Sequence, residues 1–374
     1  MNNNIGIACK ITTGKLDANQ AIQNGQYPFY TCAEFPDTID SFAFDDDVVL
    51  VAGNNAKGNF HVNRFKGKFN AYQRTYVLTA KKGFDIDFIY YSLKLELKRL
   101  KEKSQGSQTK FLTMPILQNI GLKNLSESEQ KQISSVLSTL DEKIALNNQI
   151  NATLEQMAKT LYDYWFVQFD FPDDNGKPYK SSGGEMVYNE TLKRDIPKGW
   201  DSGLVGDCLS KVPNTERILS NETNTEGQFP VIDQSQNFIC GYTDNQLAIL
   251  YPEDAHIIFG DHTRIVKLID FPYARGADGT QVIISSKVNI PNYLFYKMIL
   301  DIDLSNYGYA RHYKFLKESK IVLPQEEIAI KYNDIVKQFY SKKRKNLEEN
   351  LYLSKLRDWL LPMLMNGQVT ITGE

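Results

Sequence analysis

Residues 137–165 have the heptad spacing of a helix that buries one stripe of side chains against a second helix. The stripe advances alternately by three and four residues through Leu137, Leu140, Ile144, Asn147, Asn151, Leu154, Ala158, Leu161 and Trp165. Two consecutive members, Asn147 and Asn151, carry amides. A helix over 126–168 would be on the order of 60 Å long, and such a helix is rarely stable alone. The pattern therefore predicts a partner helix.

The partner lies later in the same chain, over residues 324–366. Its predicted stripe is Tyr332, Ile335, Phe339, Lys342, Asn346, Glu349, Leu353, Leu356, Leu360 and Met363. The first helix opens with Ser126 and Glu129, which have the spacing of a capping box. Because the chain order is lobe, helix, lobe, helix, an antiparallel pairing of the helices places one lobe at each end of a rod.

Polar residues interrupt both stripes near their middles. We predict a coiled-coil polar layer in which Asn147 and Asn151 meet Asn346 and its neighbours. A slipped register would bury amides against leucine, which costs up to a few kcal/mol for each unpaired group. Buried asparagines that set the register are the best-attested use of such positions. The alternative interpretation is a solvated helix face.

Four pairs of segments repeat in the same order at a spacing of roughly two hundred residues. GQYPFY (25–30) matches GQFPVI (227–232), and VVLVAGNN (48–55) matches AHIIFGDHT (255–263). NAYQRTYVL (70–78) matches RGADGTQVII (275–284), and GSQTKFL (106–112) matches ARHYKFL (310–316). The order and offset predict two similar lobes.

The predicted fold is α+β: two similar α/β lobes, separated by a long antiparallel two-helix coiled coil, with a pseudo-twofold internal repeat. The predicted boundaries follow from the repeat and the stripes. They are lobe 1 (1–125), the first spacer helix (126–168), a linker (169–184), lobe 2 (185–323), the second spacer helix (324–366) and a tail (367–374). We expect Phe169 and Phe171 to order part of the linker.

Charge is distributed unevenly along these segments. The net charge is −2, but basic residues outnumber acidic ones over 1–125, whereas acidic residues dominate 126–170 and 185–323. The first lobe therefore suits an anionic partner on charge alone, and the second does so only through a local patch.

Signatures of catalysis are absent from the sequence. It has no GxGxxG or GxxxxGK[ST] loop, and its four histidines lack metal-ligand spacing. Cys9, Cys32, Cys208 and Cys240 form no CxxC pair, which indicates free thiols in a reducing cytosol. No apolar run is long enough to span a membrane and the amino terminus lacks a signal-peptide stretch, so we expect a cytoplasmic, non-catalytic binding protein without a membrane partner.

Polar turns between the repeated strands concentrate side chains that can bind nucleic acid. Asn, Gln, Arg, His and Lys read base edges or hold phosphates, and Gly lets the backbone approach a groove. The candidates are Asn54, Asn55, Lys57, Asn59, His61, Gln73, Arg74, Gln108 and Lys110 in lobe 1, and His262, Thr263, Arg264, Arg275, Thr280, Tyr309, Arg311, His312 and Lys314 in lobe 2. For each position an ordinary turn residue is the alternative. Duplication on two lobes favours a duplex with two half-sites.

The chain resembles the specificity subunit of type I restriction–modification systems over nearly its whole length. The resemblance rests on SESEQKQISSVLSTLDEKIALNNQINATLEQMAKTLYDYWF (126–166), LRDWLLPMLMNGQV (356–369), GDHTR (260–264) and the NGKPY and IPKGW segments that precede lobe 2. It implies that two target-recognition domains each read one half of a split, asymmetric DNA site. It also implies that the helices measure the spacer.

The same resemblance implies partners. Two methylation subunits would dock on the helices and recruit restriction subunits, and S-adenosylmethionine, ATP and Mg would be bound by these partners, with no cofactor in this chain. One departure concerns the amino terminus, where MNNNIGIACK replaces the longer lead-in that IPKGW gives the second lobe. Two alternatives stay open: a specificity module of another restriction class, and a coiled-coil scaffold whose lobes bind protein.

Overall fold

The computed structural model describes residues 3–54, 60–103, 111–277, 279–308 and 311–369, except for the side chains of 101–103. The chain forms two compact units: unit 1 contains residues 1–148 and 347–374, and unit 2 contains residues 149–346. Two long helices, Glu127–Tyr162 and Glu326–Asn366, contribute one segment to each unit. The fold is α+β.

A six-stranded sheet forms the centre of unit 1. Its strand order is Cys9–Thr13, Thr75–Ala80, Phe44–Ala52, Val62–Ala71, Tyr27–Tyr30 and Asp37–Ile39. Neighbouring strands are antiparallel, except that Tyr27–Tyr30 runs parallel to Val62–Ala71. Side chains alternate across the central strand: Val49 and Val51 join the larger core with the helix Ile86–Lys103, and Val48 and Leu50 join a smaller core on the other face.

The amino terminus of unit 1 packs into the core that contains the end of the second long helix. Ile5 shares this core with Leu364 and Met365. Arg99 also donates a hydrogen bond to Asn366 at 3.1 Å. The smaller elements of unit 1 are the helices Ile5–Ala8, Ala18–Gln20 and Met114–Gln118 and the strand pair Asn3–Asn4 with Gly121–Leu122.

Unit 2 contains two sheets that carry its polar loops. The first has the order Gly241–Thr243, Phe229–Ile232, Tyr273–Arg275 and Ile249–Leu250, and the second has the order Val266–Ile269, His256–Gly260 and Thr280–Ile283. Its smaller elements are the strand pairs Met186–Asn189 with Arg194–Pro197 and Asp201–Leu204 with Lys320–Leu323, the helices Asn292–Leu300 and His312–Glu318, and the short helices Val205–Cys208, Ser220–Glu222 and Gln246–Ala248.

The strand pairing of unit 1 recurs in unit 2. Tyr27–Tyr30 and Phe229–Ile232 each pair with one antiparallel and one parallel strand, and the parallel partners end at the matching residues Ala71 and Arg275. Phe44–Ala52 and His256–Gly260 each lie between two antiparallel strands. The internal repeat in the sequence is therefore a repeat of topology.

The two long helices run antiparallel within each unit. In unit 1, Arg357 pairs with Asp141 at 2.5 Å and Lys143 with Glu349 at 3.6 Å, so residue numbers rise along one helix as they fall along the other. In unit 2, Lys343 forms an ion pair with Glu155. The first helix begins with the predicted capping box, in which the Ser126 amide donates to Glu129 at 2.8 Å and the Glu129 amide donates to Ser126 at 3.3 Å. Within the described residues, no helix combines the length and the apolar character that a membrane crossing requires.

The predicted stripe of the first long helix is confirmed, because all nine of its members are buried or half-buried. The stripe of the second was wrong at Ile335 and Lys342, which are exposed. Val336 is buried in place of Ile335, and Asn350 and Leu364 continue the stripe. On an amphipathic helix the step of three residues can come before or after the step of four. Packing against the first helix selects the order that buries Val336 in place of Ile335.

The first long helix ends in a π-helical turn, Asp163–Val167, which buries Trp165 and Phe166. Aromatic stacking then orders the linker as predicted. Phe171 stacks on Tyr179 and Trp200, with ring centroids at 4.7 and 5.0 Å, and Phe169 meets Trp200 edge-on at 5.6 Å. Trp200, from the IPKGW segment, thus anchors the linker to the core of unit 2.

Candidate nucleic-acid interface

Three loops of unit 1 converge beyond the end of the strand Phe44–Ala52. The Gly53 amide donates to the Arg74 carbonyl at 2.8 Å, and the Leu112 amide donates to the Gly53 carbonyl at 3.0 Å. A Cβ at position 53 would lie 2.5 Å from the Arg74 carbonyl oxygen, so only glycine permits this approach. The segments around residues 53, 74 and 112 therefore form one surface.

Among the described residues of this surface, Arg74 is an exposed cation. Its guanidinium lies 5.9 Å from the centroid of the exposed Phe111 ring, and the neighbouring Gln73 donates to Asp17 at 2.7 Å. Asn54 is half-buried and bridges to Phe111. His61 is half-buried, and its carbonyl accepts from the Ala52 amide at 3.0 Å. The other candidates in this lobe lie outside the described residues: Asn55, Lys57, Asn59, Gln108 and Lys110.

Gln234 joins the polar loops of unit 2, although the sequence analysis did not select it. Its side-chain oxygen accepts from the His262 amide at 3.1 Å, and its carbonyl accepts from the Thr263 hydroxyl at 2.7 Å. A Cβ at Gly279 would lie 2.3 Å from the Gln234 side-chain nitrogen. The internal repeat contained a sequence signal for Gln234. When the matching segments GQFPVI and GQYPFY are each continued by two residues, Gln234 aligns with Cys32, which contacts the Arg74 carbonyl in unit 1.

A buried lysine supports the loop that carries Gln234. Lys267 is 5% exposed, and its ammonium donates to the carbonyls of Asp233 at 2.8 Å and Asn237 at 2.5 Å. Burial lowers the pKa of Lys267, and the Asp233 carboxylate at 3.8 Å opposes that shift. The sequence signal for this role was the position of Lys267 inside the otherwise apolar strand Val266–Ile269.

The exposed cations of unit 2 surround these loops. Asp261 connects two of the loops, because its amide donates to the Gly279 carbonyl at 2.8 Å and its carbonyl accepts from the His312 amide at 2.9 Å. His262, Arg264, Arg311 and Lys314 are exposed near this junction, and Thr263 is exposed with its hydroxyl engaged by Gln234. The result is a local basic patch on a unit whose lobe is acidic overall.

Arg264 has an unusual backbone. Its φ is +61°, a conformation that favours glycine and costs other residues about 1–2 kcal/mol. One guanidinium nitrogen donates to the Leu304 carbonyl at 3.2 Å. The backbone conformation and this hydrogen bond together fix the position of the Arg264 side chain at the edge of the basic patch.

Four predicted contact residues require correction or comment. Thr280 and His312 are 0% and 4% exposed, so they offer no surface to a duplex. Thr280 begins a core strand, as the buried Thr75 does in unit 1. Arg275 is half-buried, its Nε has no hydrogen-bond partner, and burial and the nearby Arg217 lower its pKa. Tyr309 lies outside the described residues.

Buried amides occupy the middle of the helix pairing in each unit. In unit 2, Asn346 donates to the side-chain oxygen of Asn151 at 2.8 Å. In unit 1, Asn147 donates to Glu349 at 2.8 Å and to Asn350 at 2.9 Å. Asn147, Asn151 and Asn346 are 1%, 6% and 0% exposed, which does not fit a solvated helix face.

Comparison with known proteins shows which proteins this chain is similar to. A family model described as "Type I restriction modification DNA specificity domain" matches residues 5–156. The Escherichia coli "Type I restriction enzyme EcoDI specificity subunit" is 41% identical over 239 residues, which cover 58% of this chain and 52% of that protein. The match thus spans about half the length of that relative.

Two further similarities extend over more of the chain. The Methanocaldococcus jannaschii "Type I restriction enzyme MjaIX specificity subunit" is 28% identical over 328 residues, covering 79% of this chain and 71% of that protein. The fold is similar to the crystal structure of the type I restriction–modification S subunit from M. genitalium, with a TM-score of 0.65, 17% identity, and coverage of 100% of this chain and 96% of that one. Over residues 5–156 the chain matches the type I restriction–modification DNA specificity domain, and over most of its length it is similar to type I specificity subunits.

Proposed function

We propose that this chain is the sequence-specific DNA-recognition subunit of a type I restriction–modification complex in the cytoplasm. Each lobe would read one half of a bipartite, asymmetric site, and the long helices would form the coiled coil that sets the spacer, with the lobes related by a pseudo-twofold repeat. The observation that carries the proposal is the repeated topology, whose converging loops carry the exposed Arg74 in unit 1 and the exposed Arg264, Arg311 and Lys314 in unit 2.

Charge limits how the second lobe would bind DNA. Because the lobe is acidic overall, binding would depend on the local patch formed by His262, Arg264, Arg311 and Lys314. Phosphate contacts from the two arginines and the lysine make affinity fall as salt rises. A gel-shift titration of the chain with its methylation partners at two salt concentrations should show this dependence. Salt-independent binding, or no duplex binding, would favour the protein-binding scaffold.

Catalysis would come from partner subunits. Two methylation subunits would use S-adenosylmethionine, and restriction subunits would use ATP and Mg, which is consistent with the lack of catalytic motifs in this sequence. A module of another restriction class would bind DNA in the same way but with a different partner. Purification of the complex from its native host and identification of the co-purifying subunits would separate these two alternatives.

Exposed apolar positions on the long helices support docking of two equal partners. In unit 2, Met157 and Tyr164 line an apolar groove with Phe339. Tyr352 and Trp359 occupy the repeat-related positions in unit 1, where LRDWL answers to LYDYW, and they are 67% and 57% exposed. Matching surfaces of this kind suit two copies of one methylation subunit.

Single charges in these surfaces test the docking. Met157→Glu and Tyr352→Glu should each remove one methylation subunit, measured by native mass spectrometry, and the double variant should lose both. Gln149→Glu, at an exposed position of the first long helix outside the groove, is the matched control. Retention of both subunits by the double variant would place docking elsewhere.

The modular reading of DNA is tested by exchanging lobe 2. Replacing residues 185–323 with the corresponding lobe of a relative should change one half-site in the methylated sequence and leave the other unchanged, as read by methylome sequencing. A change in both halves would show that the lobes do not read DNA independently. Matching insertions of whole heptads in both long helices should lengthen the spacer, and an unchanged spacer would refute the measuring role.

A further inference from the structure

Two arginines of unit 2, Arg217 and Arg275, lie side by side on neighbouring segments of one sheet. Ile218 and Gly276 form a parallel bridge, and the Ile218 amide donates to the Arg275 carbonyl at 3.0 Å. In a parallel pair, the residues that precede the bridge partners also lie opposite each other, with their backbones about 4.8 Å apart and their side chains on the same face. The two side chains therefore leave the sheet from adjacent positions.

Core packing identifies the face that the two arginines share. Ile218 and Ala274 belong to one small core, whereas Tyr273 belongs to another. Because side chains alternate along a strand, Arg275 lies on the face of Tyr273. Arg217 precedes Ile218 and lies on that face as well.

Arg275 costs stability at this position. The residue is half-buried, and its Nε is enclosed without an acceptor among the described residues. A buried donor that lacks a partner is destabilising, and Arg217 adds a second positive charge beside it. Burial and the charge of Arg217 both lower the pKa of Arg275, as expected where the charged form is disfavoured.

Unit 1 shows that this fold does not need a cation at the position of Arg275. The parallel strand that ends at Arg275 in unit 2 ends at Ala71 in unit 1, and Ala71 is fully buried in a small core. A parallel bridge also follows Lys15 in unit 1, as one follows Arg217 in unit 2. Unit 2 thus has two arginines where unit 1 has an alanine and a lysine, and the stability of the fold does not explain the difference.

The arginine pair borders the recognition loops of unit 2. The Gly276 amide donates to the Ile232 carbonyl at 2.8 Å, and a Cβ at Gly276 would lie 2.6 Å from the Cβ of Asp233. The next residue, Gln234, accepts a hydrogen bond from the His262 amide at 3.1 Å. An anion held by the arginines would therefore lie beside the loops that carry the basic patch.

Two carboxylates near the arginine pair have other partners. The Asp233 carboxylate accepts from the Ser235 hydroxyl at 2.6 Å, and the Glu216 carboxylate accepts from the Asn245 side-chain amide at 2.7 Å. The charge of the pair is thus available to a ligand from outside the protein. Arginine suits phosphate in particular, because its planar fork donates parallel hydrogen bonds to two oxygens.

We propose that Arg217 and Arg275 form a phosphate-binding site, and that this site holds one phosphate of the DNA backbone beside the second half-site. The proposal rests on the proposed function, because the duplex supplies the phosphate. Nε of Arg275 is enclosed, so the phosphate is bound by the outer nitrogens Nη1 and Nη2. Contacts to phosphate fix the orientation of a protein on the duplex without reading a base. Both arginines are therefore positioning residues.

The stability of the full chain gives the first test. Arg275→Met removes the guanidinium and keeps an unbranched apolar stem, so its urea midpoint should equal or exceed that of the wild type. Arg217→Ala, at an exposed position, should unfold at the wild-type midpoint. A lower midpoint for Arg275→Met would overturn the proposal, because the fold itself would then explain the arginine.

Inorganic phosphate probes the site without DNA. A ligand that binds only the folded chain raises its melting temperature. At equal ionic strength and pH, the wild type should melt at a higher temperature in phosphate than in chloride, and Arg275→Met and Arg217→Ala should lose most of this difference. Lys198→Ala removes an exposed cation from the IPKGW segment of the same unit and should keep it. An equal phosphate effect in the wild type and in Arg275→Met would refute the site.

DNA binding is measured on the complex with its methylation partners. Arg275→Met should weaken binding of the target roughly tenfold at low salt, the effect of losing a hydrogen bond to a charged group. It should also reduce the slope of log affinity against log salt by about 1. The loss should be equal for the target and for sites altered in either half, because a phosphate carries no sequence. A loss that depends on the bases of the second half-site would contradict the phosphate assignment.

The phosphate and duplex experiments together distinguish the source of the phosphate. A phosphate effect that requires Arg275, combined with an unchanged salt slope, would mean that the site takes free phosphate, and would overturn its assignment to DNA. If the wild-type complex binds no duplex, the proposed function fails. The phosphate experiment on the free chain then still decides whether the arginine pair binds an anion.

Discussion

The side-chain amide of Asn346 donates to the side-chain oxygen of Asn151 at 2.8 Å, and both residues are buried between the long helices of unit 2. The remaining donor of Asn151 and the remaining acceptor of Asn346 have no hydrogen-bond partner. The pair thus gives up hydrogen bonds to water for a single internal one. The Asn151–Asn346 pair therefore adds little to stability. It specifies the register of the two helices, because a shifted helix would leave both amides unpaired.

Breaking this pair on one side should cost more than removing it. Asn151→Leu or Asn346→Leu leaves a buried amide without its partner, and we expect a loss of about 1–3 kcal/mol in the free energy of unfolding. The double Leu variant should recover most of that loss. Urea denaturation measures the three variants, with Gln149→Leu on the exposed face as the control. A double variant as unstable as the sum of the singles would refute the pairing.

Stability should fall in mild acid because of His256. Burial lowers the pKa of this histidine to about 4, and its Nδ1 lies 3.2 Å from the Tyr273 hydroxyl. The unfolded chain binds a proton near the ordinary histidine pKa of about 6.5, whereas the folded chain does so only near 4. The contribution of His256 to the free energy of unfolding is therefore fully present above pH 6.5. It decreases as the pH falls from 6.5 towards 4, and about 2 kcal/mol is lost at pH 5.

Urea denaturation at pH 7.5 and pH 5 tests this effect. His256→Phe should be less stable than the wild type at pH 7.5, because Tyr273 loses a hydrogen-bond partner, yet it should lose about 2 kcal/mol less between the two pH values. The same pH dependence in both proteins would mean that other groups cause the acid loss.

Arg74 should matter for the first half-site alone. Arg74→Ala should weaken binding of the target by about 1–3 kcal/mol, the range for one arginine contact to DNA, and should lower methylation of that target by the complex. The folded helices should be unaffected, since Arg74 is exposed on a loop. Lys66→Ala removes an exposed cation from the middle of a strand and is the control. Wild-type methylation by the Arg74 variant would remove this loop from the interface.

Arg264 allows recognition and stability to be separated. Because its φ of +61° suits glycine, Arg264→Gly should be more stable than Arg264→Ala by about 1 kcal/mol. Both variants lack the guanidinium, so both should lose second half-site recognition to the same extent. Thermal unfolding and methylation assays give the two readouts. If Arg264→Gly recognised the second half-site better than Arg264→Ala, the guanidinium of Arg264 would not be the group that contacts DNA.

The sequence predicted the elements whose signals are local. The heptad stripe from Leu137 to Trp165 is buried as expected, and the capping box at Ser126 is formed. Aromatic residues ordered the linker as expected, because the ring of Phe171 stacks on that of Trp200 with the centroids 5.0 Å apart. The repeat also had a sequence signal, since the same strand-and-turn order occurs twice.

The candidate site was harder to predict, because loop residues carry no signal of their burial. Threonine and histidine are residue types that can contact DNA. However, Thr280 begins a core strand and His312 is enclosed by two loops. Gln234 and Lys267 were missed, because their importance depends on loops that are distant in the chain.

The sequence by itself determined the two long helices, the amides in their middles and the duplicated strand order, since spacing along the chain fixes which side chains share a face. The tertiary structure decided between Ile335 and Val336 for the second stripe, because both orders of steps give an amphipathic helix and only packing chooses one. It also decided which polar residues reach the surface, because hydrogen bonds such as that between Asp261 and His312 join segments about fifty residues apart.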